Sequence, residues 1–169
     1  MLLSRHNALV VSDIHGGVNM AVTTYKAVSR NLPGGLAVES ESRGFKMIID
    51  EPPSMGGTDT GMSPVEALLV SLGSCQCIVA AAFAQSQGID LKGFWVEVEG
   101  DLDPVGFMTG DPNVRPGYQE IRFKMHINTD APQNKVEAFQ HFIESRCPVG
   151  DSLGKGVSLK PEAIVIERQ

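Results

Sequence analysis

Apolar and polar residues alternate with a period of two in three short stretches near the start of the chain, "MAVTTYKAV", "GLAVESES" and "FKMIID", separated by "NLPGG" and "SRG". Period-two alternation bounded by Gly and Pro predicts an antiparallel meander of three strands between Met20 and Asp50. The Pro- and Gly-rich loop "EPPSMGGTDTGM" follows, and the pattern then changes to a long run of small and apolar residues. Ser63-Pro64-Val65-Glu66 has the form of a capping box: Ser63 accepts from a first-turn amide, Pro64 suits the first helical position, and Glu66 reaches back to the Ser63 amide. The spacing predicts a helix from Pro64 to about Gln87, stopped by Gly88. Its apolar residues fall on every face, so it reads as a helix buried all round, which a chain this small cannot enclose alone.

Downstream, "LKGFWVEVEGDL" and "YQEIRFKMHINT" alternate again and predict a long hairpin, joined by the loop "DPVGFMTGDPNVRPG". "DAPQNKVEAFQHFIESRC" reads as an amphipathic helix with Asp130 as its cap, ended by Pro148 because the residue before proline is pushed out of the helical region. A closing strand is expected in "GVSLKPEAIVIE". The order of elements places the chain in the α+β class, with helices packed on antiparallel sheet. Length suits one domain, residues 20–169, behind a poorly integrated leader, residues 1–19.

Twenty acidic against fourteen basic residues give a formal charge of -6, with Lys and Arg scattered. Such a balance offers no footprint for nucleic acid or an anionic membrane. The apolar run carries Glu66, Ser71, Ser74 and Gln76, which are costly in lipid, so it reads as a core helix and not a span. The first residues contain Arg and His where a signal peptide needs an unbroken apolar core, and a cytoplasmic location is expected. Asp13 and His15 in "VVSDIHGG" resemble the opening of a metallophosphoesterase, but only His126 and His141 remain downstream, neither in a ligand-like cluster.

Three cysteines, an odd number, argue against a structural disulfide framework and leave thiol chemistry or inert burial. Successive helical residues turn by about 100°, so Cys75 and Cys77 lie roughly 200° apart and share neither a redox pair nor a metal clamp. Cys147 stands where the second long helix ends, beside Arg146. From spacing alone, each thiol reads equally well as a small buried hydrophobe.

The segment "DEPPSMGGTDTGMSPVEALLVSLGSC", with the later "RCPVG", resembles the OsmC/Ohr family of thiol-dependent hydroperoxide reductases and OsmC-like redox proteins over roughly Val22 to Ile166. The family's helix-borne cysteine stands eleven residues after the proline, which selects Cys75. The resemblance implies an intertwined homodimer, with sheets wrapped around long central helices and active sites built between chains. It implies that Cys75 attacks a hydroperoxide substrate, that Cys147 resolves the sulfenic acid as a disulfide, and that an external dithiol reductant restores both, with no flavin, haem or metal cofactor. Cys77 is then a bystander.

Two positions depart from the family pattern. The peroxidases carry a glutamate directly after the helix-opening proline, where this chain has Val65; Glu66 comes one residue later, about 13 Å from Cys75 along a straight helix, so it reads either as the cap alone or as a catalytic carboxylate that reaches a thiol from the other subunit or through a bend near Gly73. The arginine that stabilises the family's thiolate corresponds best to Arg30, expected in the turn between the first two strands, with Arg43 in the next turn. Without such a cation the fold could serve a non-catalytic protein that holds a small apolar ligand at the dimer interface, a use that seven methionines and a long loop from Asp103 to Gly117 would suit. A metal site from Cys75, Cys147 and His141 requires those three groups to converge.

Overall fold

A computed structural model describes residues 21–166; the expected leader and the Asp13/His15 pair lie outside them. β1 (Val28–Asn31), β2 (Val38–Ser42) and β3 (Phe45–Ile49) form an antiparallel sheet in that order, with Val28 opposite Glu41 and Val38 opposite Ile49. The β2–β3 turn is the pair Arg43-Gly44, both at positive φ (53° and 87°), as a two-residue hairpin twisted with its strands requires. The first strand starts later than its alternation suggests and takes in Arg30, which was expected in the turn. β2 offers partners only from Val38 to Glu41, so the chain before Val28 runs past the sheet and is exposed.

Asp50 ends this sheet and ties down the loop that follows. Its buried carboxylate accepts from the Glu51 amide (2.8 Å), from the amide and hydroxyl of Thr58 (3.0 and 2.6 Å) and from the amide and hydroxyl of Thr60 (3.2 and 2.9 Å). Its own amide donates to the Met62 carbonyl (3.2 Å), beside a single bridge between Ile49 and Met62. The loop is thereby closed on itself, and Ser63 is delivered to the start of the central helix.

That helix, α1 (Pro64–Phe83), opens with the expected capping box: the Ser63 hydroxyl accepts from the Glu66 amide (3.4 Å), while Glu66 Oε2 accepts from the Ser63 amide (2.7 Å) and hydroxyl (2.9 Å). It ends four residues before the position expected from the sequence. Turn hydrogen bonds from Gln87 and Gly88, with Gly88 at φ 68°, swing the chain away so that Ile89 returns to the core. By length and hydropathy α1 could cross a membrane; here it packs on β4 (Gly93–Asp101) and on two later helices. Gly73 is the point of closest approach to the sheet, since a Cβ there would stand 3.3 Å from a Val98 methyl. The helix is not enclosed on all sides. Leu72, Gly73, Gln76, Val79 and Ala80 are buried, whereas Val70 and Ile78 on the opposite face are 51% and 69% exposed.

β4 pairs with β5 (Glu120–Asn128) along its whole length, Gly93 opposite Asn128 and Asp101 opposite Glu120. Phe94, Val96 and Val98 alternate inward, and the outer face carries a charge ladder of Glu97 to Lys124 (3.0 Å) and Arg122 to Asp101, Glu120 and Glu99. The connection between them is not a plain loop. Asp103 caps a short helix, α2 (Pro104–Thr109), by accepting from the Val105 amide (2.9 Å).

α3 (Gln133–Arg146) buries Phe139 and Ile143 against Val79, Ala80, Ala84 and Ile89, which is the main core. Asp130 is not its cap: Pro132 holds that position without a side-chain hydrogen bond, and Asp130 pairs with Lys92 instead. Pro148 ends α3 as expected and then serves as the first residue of a further helix, α4 (Pro148–Lys155). Residues 156–166 form no strand and are exposed, so the expected closing strand is absent from the fold of one chain. Both sheets have open edges, but the tail pairs with neither. The class is α+β, with antiparallel sheets around a long central helix.

Candidate active site

Cys75 sits in the middle of α1, half-buried, and Cys147 in the single extended residue between α3 and α4 (φ −81°, ψ 107°). Proline at 148 forces that break, because its ring denies residue 147 the helical region. The break turns the Cys147 side chain back over α4, where Sγ accepts from the Gly150 amide at 3.3 Å and takes the place of a Ser or Asp cap. Cys147 is 2% exposed.

The two thiols are neighbours: Cys75 is near enough to Cys147 to act on its titration. Burial pushes the Cys147 thiol up, and the adjacent Cys75 pushes it further in the same direction. The amides of Gly150 and Val149 favour its thiolate, but they do not outweigh burial. Cys147 is therefore held as the neutral thiol. Cys77 lies on another side of α1, where burial raises its pKa and no partner charge opposes it.

Cys147 lines a cavity of about 570 Å³ whose wall does not include Cys75; α1 presents Leu68, Leu72 and Gln76 to it at intervals of four, and Arg115 and Tyr118 form other parts of the wall. The Tyr118 ring lies over Gly100, where a Cβ would come within 2.5 Å of it, so the missing side chain is what lets Tyr118 close that wall. Its hydroxyl donates to the Val65 carbonyl (3.0 Å), and burial followed by the charge of Glu66 holds its pKa up. Gln76 is 2% exposed, yet its Oε1 has no hydrogen-bond partner.

Of the residues singled out in the sequence, Cys75 and Cys147 are brought together. Glu66 is engaged by Ser63, whose amide and then hydroxyl hold the carboxyl below its ordinary range. Arg30 is exposed on β1 opposite Glu39, in a sheet that packs little on α1, and it does not line the cavity. Arg43 occupies its turn with the guanidinium over the Phe45 ring. His141 is exposed on α3, 3.7 Å from Glu144, and no group of three His, Cys, Asp or Glu side chains among the described residues could hold a metal. The sequence reading missed Arg115, Tyr118 and Gln76. For Gln76 there was a signal: it continues the four-residue stripe of Leu68 and Leu72 with a polar group.

A three-stranded sheet, a long capped helix bearing Cys75 at its middle, and Cys147 delivered to it by a proline break define an OsmC-type α+β protein. The OsmC-like protein family matches residues 57–162, well over half of the chain, and the protein belongs to that family. A hydroperoxide reductase of Mycoplasma pneumoniae is 26% identical over 114 residues, covering 68% of this chain and 75% of the relative. Among solved structures, an OsmC-like protein from Mycoplasma pneumoniae superposes with a TM-score of 0.65 at 21% identity, covering 78% of this chain and 88% of the other. An organic hydroperoxide resistance protein OsmC from Legionella pneumophila gives a TM-score of 0.60 at 21% identity, covering 79% and 91%.

Proposed function

We propose that the protein is a thiol-dependent peroxidase that reduces organic hydroperoxides, with Cys75 as the attacking thiolate and Cys147 as the resolving thiol. The observation that carries this reading is the proximity of two cysteines 72 positions apart in the chain, the buried one, Cys147, held as the neutral thiol. The Mycoplasma relative bears the name hydroperoxide reductase, which is the same chemistry.

The steps balance as follows. The Cys75 thiolate bonds to the terminal oxygen of ROOH, the O–O bond breaks, and its electron pair leaves on the carbon-bound oxygen as alkoxide. Burial keeps Cys147 protonated until this moment, so it is placed to give that alkoxide a proton, yielding ROH and a Cys147 thiolate. Cys147 then attacks the Cys75 sulfenic acid and expels hydroxide, forming the disulfide. An external dithiol reduces it by exchange, and the sum is ROOH plus dithiol to ROH, water and disulfide. A cavity of about 570 Å³ suits a bulky R group, and hydrogen peroxide would leave most of it empty.

The working unit in this reading is a homodimer. Val70 and Ile78 leave an apolar face of α1 uncovered, and Leu159, Ile164 and Val165 are more than three-quarters exposed in the unpaired tail. A second copy would cover both. Arg30 acts on a thiol only if that assembly carries its sheet to an α1 helix. The cavity also favours a second reading, storage of a small apolar ligand without turnover.

The test is to add cumene hydroperoxide to the reduced protein, block free thiols, and map peptides by mass. A Cys75–Cys147 bridge formed in proportion to peroxide is expected. If Cys75 stays reduced in about tenfold excess of peroxide, the peroxidase reading is wrong and ligand storage takes its place.

A further inference from the structure

Gly150 is a residue of the site whose identity neither its backbone nor its packing explains. It lies in the first turn of α4, its φ is not positive, and a Cβ added to it would make only ordinary contacts, 3.5 Å from Cys147 Sγ and Cβ and 3.7 Å from a Leu72 methyl. Alanine would therefore fit, and it favours a helix over glycine. What glycine leaves is a gap over the Cys147 sulfur. Gly150, Cys147 and Leu72 all line the cavity, and Cys75 does not. The rest of Cys147 is buried, so the gap is the approach to its sulfur.

We propose that the cavity is the entry port of the reductant, and that a small dithiol with an apolar body attacks the Cys75–Cys147 bridge at the Cys147 sulfur, through the gap at Gly150. The proposal rests on the peroxidase reading and concerns the half-reaction that restores the thiols. Oxidation is complete by then, so the cavity is free when the dithiol arrives, and Leu68, Leu72, Phe123 and Leu153 give it an apolar wall. The first thiolate of the reductant bonds to Cys147 Sγ, the S–S bond breaks, and the electron pair leaves on Cys75. Cys75 is half-buried, so it emerges as a thiolate within reach of water, ready for the next hydroperoxide. The second thiol then bonds, as thiolate, to the reductant sulfur held by Cys147, and the electron pair leaves on Cys147. The Gly150 amide, 3.3 Å from Sγ, supports that charge until a proton arrives, and the reductant departs as a cyclic disulfide. Of the two protons the reductant gives up, one goes to Cys147 and one to water. Either order of attack expels the buried Cys147 once; this order places that step in the intramolecular ring closure, where proximity favours it.

The experiment forms the bridge in the wild-type protein and in Gly150→Ala with diamide, which needs no peroxide, and times its reduction by dithiothreitol through thiol blocking and peptide mapping. A methyl group in the gap predicts reduction slower by about tenfold or more, while oxidation of Cys75 by cumene hydroperoxide stays within about twofold of the wild-type rate. A purely structural role for Gly150 would slow both half-reactions together. The alanine variant should melt no lower than the wild type, and Gly150→Ser is a second replacement should it fold poorly. Stoichiometric benzyl mercaptan, a monothiol that stops at the mixed disulfide, identifies the attacked sulfur: after an acid quench the adduct is expected on Cys147, with Cys75 free. An adduct on Cys75, equal rates of reduction, a parallel loss of both half-reactions, or failure of diamide to form the bridge overturns the proposal. A wild-type protein whose Cys75 stays reduced in cumene hydroperoxide, while its diamide-made bridge opens at Cys147, overturns the peroxidase reading and leaves the port standing.

Discussion

The first turn of α1 and its fourth turn lie on one helix and treat polar groups in opposite ways. Around Ser63 the network is closed. Glu66 and Ser63 satisfy one another, and Asp50 collects five hydrogen bonds just upstream. Around Cys75 and Gln76 it is open: one thiol half-buried, a second held neutral, and a buried carbonyl oxygen with no donor. Folding alone rewards the first arrangement, and only a reacting or binding partner completes the second.

Substitutions at the open turn should therefore alter chemistry and spare stability. Cys75→Ser keeps nearly the same volume and replaces a strong nucleophile by one that is inert toward peroxide. Hydroperoxide consumption should fall by about 10³-fold or more, with a thermal midpoint within a few degrees of the wild type. A large loss of stability together with residual activity would erase the contrast between the two turns.

At the closed turn the opposite is expected, and Asp50 is the strongest case. The Thr58 hydroxyl, followed by the Glu51 amide and both Thr60 donors, holds its carboxyl well below the usual carboxylate range. A depressed pKa stabilises the fold fully above the unfolded value of about 4, and that contribution is lost as pH falls below it. Asp50→Ala strands the Thr58 and Thr60 donors and should lower the thermal midpoint at pH 7 by about 5 °C or more. In Asp50→Asn, the decline of the midpoint between about pH 5 and pH 2 should be shallower than in the wild type. Equal slopes would mean that the loop does not depend on this charge.

How much of this could be read beforehand follows the same division. The capping box was visible because its residues are neighbours in the chain, and local hydrogen bonding fixes their geometry. The hairpin was visible because alternation over nine residues in each strand fits few other structures. The meeting of Cys75 with Cys147 has no local signature: the residues alone left inert burial open, and only the family resemblance paired them. α2 and α4 were missed although Asp103-Pro104 and Cys147-Pro148 both carry start signals, since each helix spans little more than two turns at most, Pro104 was placed in a loop, and Pro148 was read only as a stop. The tail at 156–166 shows the limit of pattern reading. Alternation states that a segment would suit a strand, but not that it pairs: both sheets of this chain have open edges, and the tail joins neither.

The smallest expected effect is also the one that separates a cap from a catalyst. Glu66 stands near the position where the family's peroxidases carry a working carboxylate, and its charge reaches Tyr118 on the cavity wall. Yet both of its hydrogen bonds from Ser63 are those of a capping box, which glutamine can also make. Ser63→Ala should destabilise the protein by about 1 kcal/mol, and Glu66→Gln by less, because the amide oxygen still accepts from the Ser63 backbone. Neither should change kcat/KM for cumene hydroperoxide by more than about twofold. A Glu66→Gln protein that melts like the wild type but loses most of its activity would show that the carboxylate acts in the chemistry, and the boundary between the closed and open parts of α1 would then move to include its first turn.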